Sequence, residues 1–358
     1  MSVVFLIFLF ILGACFGSFL CCTARRLHHK EQGKKPLGSR SVCLHCKHQL
    51  AWYDNLPLIS WAILKGRCRH CHAKIGPAEF FSELLSALAF LLLGLSLLPI
   101  LSATPLASSP LTTTTTTPLT TLTTSTSASA LLTLPNLRAS APAFTAPLLI
   151  ALFFLTLNLL FLAIYDGLYG ELPTVALTIS IICAIMFLTL RAWASFSVGT
   201  LSLTSFILSL LLSLLVLPGL YFVLYKLGRG KWVGDGDWLL ALAIALALAD
   251  PFFALLTLFF ANFLACLYAL PYFFRTSKNH APKPTTKSTP KTTAKSAQKS
   301  ASKTTPKTVL KSIPKSTTTS LTASKTKNPL TLKLHFGPFL VAAFILVFAF
   351  ADFFQNLL

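Results

Sequence analysis

Long apolar runs recur along this chain, and they constrain its fold more than any other feature. They lie at about 2–23, 80–102, 146–165, 172–192, 201–225, 238–249, 252–274 and 336–355. A membrane-spanning helix needs about 20 consecutive apolar residues, and most of these runs reach that length. The run 238–249 is short, and Asp250-Pro251 breaks it from the next one. With 54% of residues hydrophobic and only 11% charged, a soluble domain could not hide so much apolar surface, whereas lipid solvates it. The expected fold class is an all-α polytopic membrane protein with about eight transmembrane helices.

Charge placement sets an expected orientation. No basic residue precedes the first run, and Arg25 and Arg26 follow it. A secretory signal peptide carries its charge in front instead. The first helix, 1–24, is therefore expected to be retained, with its N-terminus outside. In that orientation the cytoplasmic segments are about 25–79, 167–171, 226–237 and 275–335. They hold all of the 30 Lys and Arg except Arg138 and Arg191. The positive-inside rule favours this arrangement over its mirror image. The net charge of +20 then reads as a topology signal, which argues against nucleic acid as a partner and for a bilayer. The expected location is the cell inner or plasma membrane, multi-pass.

Two low-complexity tracts interrupt the helices. Residues 102–145 are rich in Thr and Ser, nearly uncharged and poor in large apolar side chains; they read as an external loop. Residues 275–335 are rich in Lys, Thr, Ser and Pro, with lysines every four residues from Lys283 to Lys315. Pro284, Pro290, Pro306 and Pro314 interrupt any continuous helix there. This tract reads as a cytoplasmic loop that could touch anionic headgroups through charge alone.

The segment 25–79 contains Cys43-Leu44-His45-Cys46 and Cys68-Arg69-His70-Cys71. Each C-x2-C knuckle aims two thiolates at one point, and two knuckles close a tetrahedral Zn²⁺ site. A reducing compartment disfavours disulfides. Four cysteine ligands leave no open position, so the role expected for Cys43, Cys46, Cys68 and Cys71 is structural. Cys15, Cys21, Cys22, Cys183 and Cys266 lie in apolar runs and read as small buried hydrophobes.

The chain has ten acidic residues. Glu31, Asp54 and Glu79 are expected to be solvated in the cytoplasmic module. Asp250 and Asp352 are expected at water-accessible outer helix ends. Asp166 ends the third run and Asp237 begins the sixth, both at the cytoplasmic face. Two carboxylates from different helices thus reach one membrane depth, where charge is costly and usually functional. Mutual repulsion lets such a pair share one proton, so that one group activates water while the other protonates the scissile carbonyl. Spacing alone leaves open a hydrated turn with interfacial carboxylates, and Gly234-Asp235-Gly236-Asp237 offers two candidate aspartates.

Several segments in order resemble the prepilin leader peptidase family, the GxGD-type membrane aspartic peptidases. Gly17-Ser18-Phe19-Leu20 with Arg26-Leu27 resembles its first-helix signature. Arg40, Cys43, Cys46, Trp52, Asp54, Pro57, Ser60, Gly66, Cys68, Cys71, Ile75 and Glu83 resemble its zinc module. Asp166 with Leu172-Pro173, Gly234-x-Gly236-Asp237 and Phe336-Gly337-Pro338-Phe339 resemble the two catalytic segments and the start of the last helix. The resemblance implies Asp166 and Asp237, rather than Asp235, as the catalytic pair. It implies type IV prepilin or pseudopilin substrates cleaved at the cytoplasmic face, and possession by many members of an S-adenosylmethionine-dependent N-methyltransferase activity. Cys21, His28 and Leu239 depart from the family's usual Asn, Pro and Lys; the first bears on methyl transfer. The implied organisation is helix 1–24, zinc module 25–79, helix 80–101, loop 102–145, catalytic helices 146–274, loop 275–335 and last helix 336–358. A non-enzymatic alternative is a zinc-dependent membrane scaffold that recruits partners through its basic loop.

Overall fold

A computed structural model of the protein describes residues 2–33, 41–43, 45–102, 145–197, 202–229, 234–279 and 335–356. The two low-complexity tracts lie outside these residues, apart from their edges. Among the described residues the only β pairing is two isolated bridges, Val42 with Gln49 and Arg67 with Lys74. The rest of the regular structure is helical.

The long helices are α1 (Ser2–Glu31), α3 (Ala78–Ser102), α4 (Thr145–Tyr169), α5 (Thr174–Ser197) and α9 (Pro251–Asn279). A one-turn helix, α2 (Ile59–Ile63), lies between α1 and α3. Helix α6 (Leu203–Leu214) continues through a π-helical turn, Leu215–Gly219, into α7 (Leu220–Gly228). Pro218 lies inside that turn; its missing N–H and bulky ring cannot continue the α-helical ladder, and the wider turn absorbs the defect. The remaining helices are α8 (Asp235–Leu248), α10 (Gly337–Ala349) and α11 (Ala351–Asn356).

Among the described residues, six helical stretches are long and apolar enough to cross a bilayer: Val3–Glu31, Ala78–Leu98, Ala146–Tyr169, Thr174–Ser197, Leu203–Gly228 and Pro251–Pro271. The chain is thus a helical, multi-pass membrane protein, but length and composition do not support the expected count of eight. Helices α8 and α10 have 14 and 13 residues. At 1.5 Å per residue each covers about 20 Å, against about 30 Å of hydrocarbon.

These two short helices form the centre of the fold. Leu240, Ala241, Ala243, Ile244, Ala245, Ala247 and Leu248 of α8 are fully buried, as are Leu340, Val341, Ala343, Phe344 and Val347 of α10. A helix that is apolar all round is buried all round. The alanines of α8 let neighbouring backbones approach closely, and α5, α6 and α10 pack against it. The longer helices instead turn large apolar side chains outward, among them Ile182, Ile207, Leu215 and Phe259, as a lipid-facing surface requires. Residues 269–333 cluster apart from the rest of the chain, and of them only the end of α9 is described.

The end of α8 is held by an unusual pair. Arg191 of α5 is buried and donates from Nη1 to the Ala247 carbonyl (2.9 Å) and from Nη2 to that of Leu248 (2.8 Å). It thereby satisfies carbonyls that a helix C-terminus leaves without partners. Asp250 caps the next helix, its Oδ1 accepting from the N–H groups of Phe252 (2.9 Å) and Phe253 (3.4 Å). The charges of Arg191 and Asp250 act on each other. Asp250 is only 2% exposed, which corrects the expectation of a water-accessible position. The side chain of Asp352 lies outside the described residues. Arg191→Met should destabilise the fold by about 3–5 kcal/mol, because it strands both carbonyls and a buried carboxylate. A thermal or denaturant unfolding comparison in detergent reads this directly.

Candidate active site and metal centre

Helix α4 ends one turn beyond Asp166, and α8 and α10 both begin beside it. The Asp166 side chain is buried, and its Oδ2 accepts a hydrogen bond from the Gly337 N–H (2.9 Å). A Cβ at Gly337 would stand 2.7 Å from that oxygen, so only glycine lets the start of α10 close on the carboxylate. Asp237 lies in the first turn of α8, half-buried. Its Oδ2 accepts from the Gly234 N–H (3.1 Å), a capping arrangement that fixes the side chain. Both carboxylates therefore take a backbone N–H at the positive end of a short core helix, yet burial, together with the charge of Asp166, pushes Asp237 up to about 6 against the pull of the Gly234 N–H.

The two aspartates belong to one electrostatic site. Asp166, Asp235 and His335 are the charged groups that act on Asp237. Asp235 itself is exposed. Gly236 packs on Leu172, and a Cβ there would meet the leucine side chain at 2.8 Å; the close approach seats α8 against the loop that follows α4. Two further residues had no part in the sequence reading. Tyr221 is buried, its hydroxyl has no hydrogen-bond partner among the described residues, and the charge of Asp237 acts on it. His335 lies with Nδ1 3.9 Å from Asp166 Oδ1. It immediately precedes Phe336-Gly337-Pro338, but its position at the end of a basic tract disguised it as loop.

The C-terminal ends of α1 and α4 are tied together next to Asp166. Tyr165 donates its hydroxyl hydrogen to Glu31 Oε2 (2.6 Å), and the His28 ring stacks on Tyr169 with centroids 3.7 Å apart. Glu31 is thus a hydrogen-bond acceptor rather than a merely solvated group. Asp54 and Glu79 are likewise paired, with Arg69 and Arg25 respectively, each at 2.9 Å.

The two cysteine knuckles fold alike. The Cys43 N–H donates to the His48 carbonyl and the Lys47 N–H to that of Cys43; Cys68, Ala73 and His72 repeat the pattern. Lys47 and His72 occupy matching left-handed positions, with φ of 59° and 53°. The four sulfurs lie within 4.8 Å of one another, and Cys43 Sγ is 3.8 Å from Cys71 Sγ. A tetrahedron with metal–sulfur arms of about 2.3 Å has edges of about 3.8 Å, so the cluster is positioned to bind a metal ion. The N–H of Cys46, aided by that of His45, holds the Cys43 thiol down to about 6, whereas, against the pull of the Ala73 N–H, burial and the three neighbouring sulfurs push Cys71 up to about 11. None of the histidines beside the knuckles belongs to the cluster. Of the other cysteines Cys21 is buried, but Cys15 and Cys266 face outward.

The metal module is anchored to the helices. The Leu58 N–H donates to Glu83 Oε2 of α3 at 2.7 Å. This clamps Leu58 at a positive φ (60°, with ψ −46°) that a branched side chain rarely adopts.

Residues 11–97 match the family model described as the bacterial peptidase A24 N-terminal domain. A prepilin leader peptidase/N-methyltransferase of Myxococcus xanthus is 44% identical over 86 residues, 24% of this chain and 25% of the relative. A type 4 prepilin-like proteins leader peptide-processing enzyme of Escherichia coli O78:H11 is 55% identical over 56 residues, 16% of this chain and 21% of the relative. A prepilin leader peptidase/N-methyltransferase of Vibrio cholerae is 38% identical over 89 residues, 24% of this chain and 35% of the relative. The chain spans less than half the length of these relatives, and the family match ends before Asp166. No solved structure matches the chain. The resemblance to the prepilin leader peptidase family is thereby borne out, and over residues 11–97 the chain matches the bacterial peptidase A24 N-terminal domain.

Proposed function

We propose that this protein is a membrane aspartic endopeptidase that removes the leader of type IV prepilin or pilin-like proteins at the cytoplasmic membrane face. The observation that carries the reading is that the charges of Asp166 and Asp237 act on each other, each carboxylate being held by a backbone N–H at the start of a short core helix. The names of the relatives supply the substrate class. In the mechanism the pair holds one proton. The ionised member takes a proton from water as its oxygen attacks the scissile carbonyl. The protonated member donates to that carbonyl oxygen, and the roles reverse when the tetrahedral intermediate breaks down. The start of α8, exposed at Gly234 and Asp235, leaves room for an extended peptide to approach.

Cys43, Cys46, Cys68 and Cys71 hold zinc in this reading, as a structural ion that staples the module. Methyl transfer is carried by the relatives' names and by one cavity. Arg25, Arg26, Glu79 and Glu83 line a cavity of about 430 Å³ beside the metal module. Its mixed charges suit a zwitterionic amino-acid methyl donor, and S-adenosylmethionine would supply the methyl group there. Co-expression with a prepilin-like protein, followed by mass spectrometry of its N-terminus, tests the proposal. The expected product begins at the apolar helix; an intact leader after co-expression would contradict it. A methyl group on the new N-terminus would report the second activity in the same spectrum.

A further inference from the structure

The site contains a base that the two-aspartate mechanism does not use. His335 stands at the mouth of α10, two residues before the Gly337 N–H that holds Asp166 Oδ2. Its Nδ1 lies 3.9 Å from the other oxygen, Oδ1. The two oxygens of Asp166 therefore face different partners, a fixed peptide dipole and a group whose charge can change. The imidazole is seated on Gly170, whose φ of +69° suits glycine and where any Cβ would run into the ring. About a third of the His335 side chain is exposed (33%), so it can exchange protons with water.

His335 faces Asp166 of α4 directly, and it acts with Asp166 and Asp235 on Asp237 of α8. Glu171, which follows Gly170, is exposed. All are acids. A protonated imidazole among them stabilises negative charge, and most strongly on Asp166.

We propose that His335 is a positioning residue for the aspartate pair: its protonated ring holds Asp166 ionised, so that the shared proton rests on Asp237. Asp166 is then the base that activates water, and Asp237 the acid that serves the carbonyl. The proposal rests on the reading of these aspartates as the catalytic pair, and it adds a division of labour that two carboxylates alone do not fix.

As pH falls, the pair gains a second proton and activity is lost. A nearby cation opposes that gain, so the protonated His335 keeps the pair active to lower pH. A neutral imidazole has no charge to contribute, so the effect is confined to the pH range in which a histidine carries its proton. His335→Gln should therefore move the acid limb of the activity profile up by about one pH unit and leave the alkaline limb in place. His335→Arg keeps a cation at every pH; it should retain the wild-type acid limb and draw the alkaline limb down.

The test is kcat/KM for a peptide with a basic leader joined to an apolar segment, cleaved by full-length protein in detergent across about pH 5 to 9. Asp166→Asn is run alongside. The expected result is a raised acid limb for His335→Gln and its restoration in His335→Arg. Superimposed profiles for wild type and His335→Gln, with Asp166→Asn inactive, overturn this proposal alone. So does equal loss at every pH in both His335 variants, the mark of a packing role. Cleavage by Asp166→Asn overturns the catalytic-pair reading, and this proposal with it.

Discussion

Asp237→Asn should abolish leader cleavage, by about a thousandfold or more in rate, while Asp235→Asn should leave most of it. The two residues are separated by one glycine, so composition and local charge barely distinguish them. Their surroundings do. Asp237 folds back to the Gly234 N–H and is acted on by Asp166 and His335. Asp235 is exposed. An amide at position 237 can still accept from Gly234, so the helix start should survive while the shared proton is lost. Cleavage of a prepilin-like substrate, scored by gel shift in membranes carrying equal amounts of each variant, separates the two. The opposite pattern would put the catalytic register on Asp235.

Replacing Cys43 and Cys46 with serine should remove the bound zinc and unfold the metal module. Structural zinc sites in small domains carry about 10–16 kcal/mol of apparent binding energy at neutral pH, most of it folding energy. Little else is available here. The module has two isolated bridges, a one-turn helix and a 3₁₀ turn at Trp52–Asn55, none of whose residues are buried. Metal content of purified protein should fall from one zinc per chain to nearly none. Proteolysis should open the 41–76 region while the membrane helices persist, because α3, α4, α8 and α10 have their own buried core. Unchanged zinc content would refute the assignment of these ligands.

The sequence was most legible where the signal is local. Each long helix falls on one of the apolar runs, although α1 continues to Glu31, well past the end of the first run. Asp250-Pro251 marks the break between α8 and α9, and both C-x2-C knuckles form the cluster that their spacing implied. Legibility failed where packing between distant segments decides. An apolar run reads the same whether lipid or protein surrounds it, so hydropathy could not tell that the short α8 and α10 are the buried centre. Arg191 was left over from the charge pattern because its partners are carbonyls 56 and 57 residues away. Asp250 looked water-accessible because its cap and its cationic neighbour are invisible in one dimension. His335 and Tyr221 reach the aspartates only through the fold, and no motif announces either. The aspartates stood out as candidates because carboxylates are scarce in so apolar a chain, and the family resemblance chose Asp237 over Asp235.

The central claim is that Asp166 and Asp237 act together on one peptide bond. It is tested most directly by incubating purified protein and its Asp166→Asn variant with a prepilin-like peptide, and determining the products by mass spectrometry. The account predicts a single cut just before the apolar helix with the wild-type protein and none with the variant. An identical cut by Asp166→Asn, at a comparable rate, would contradict it.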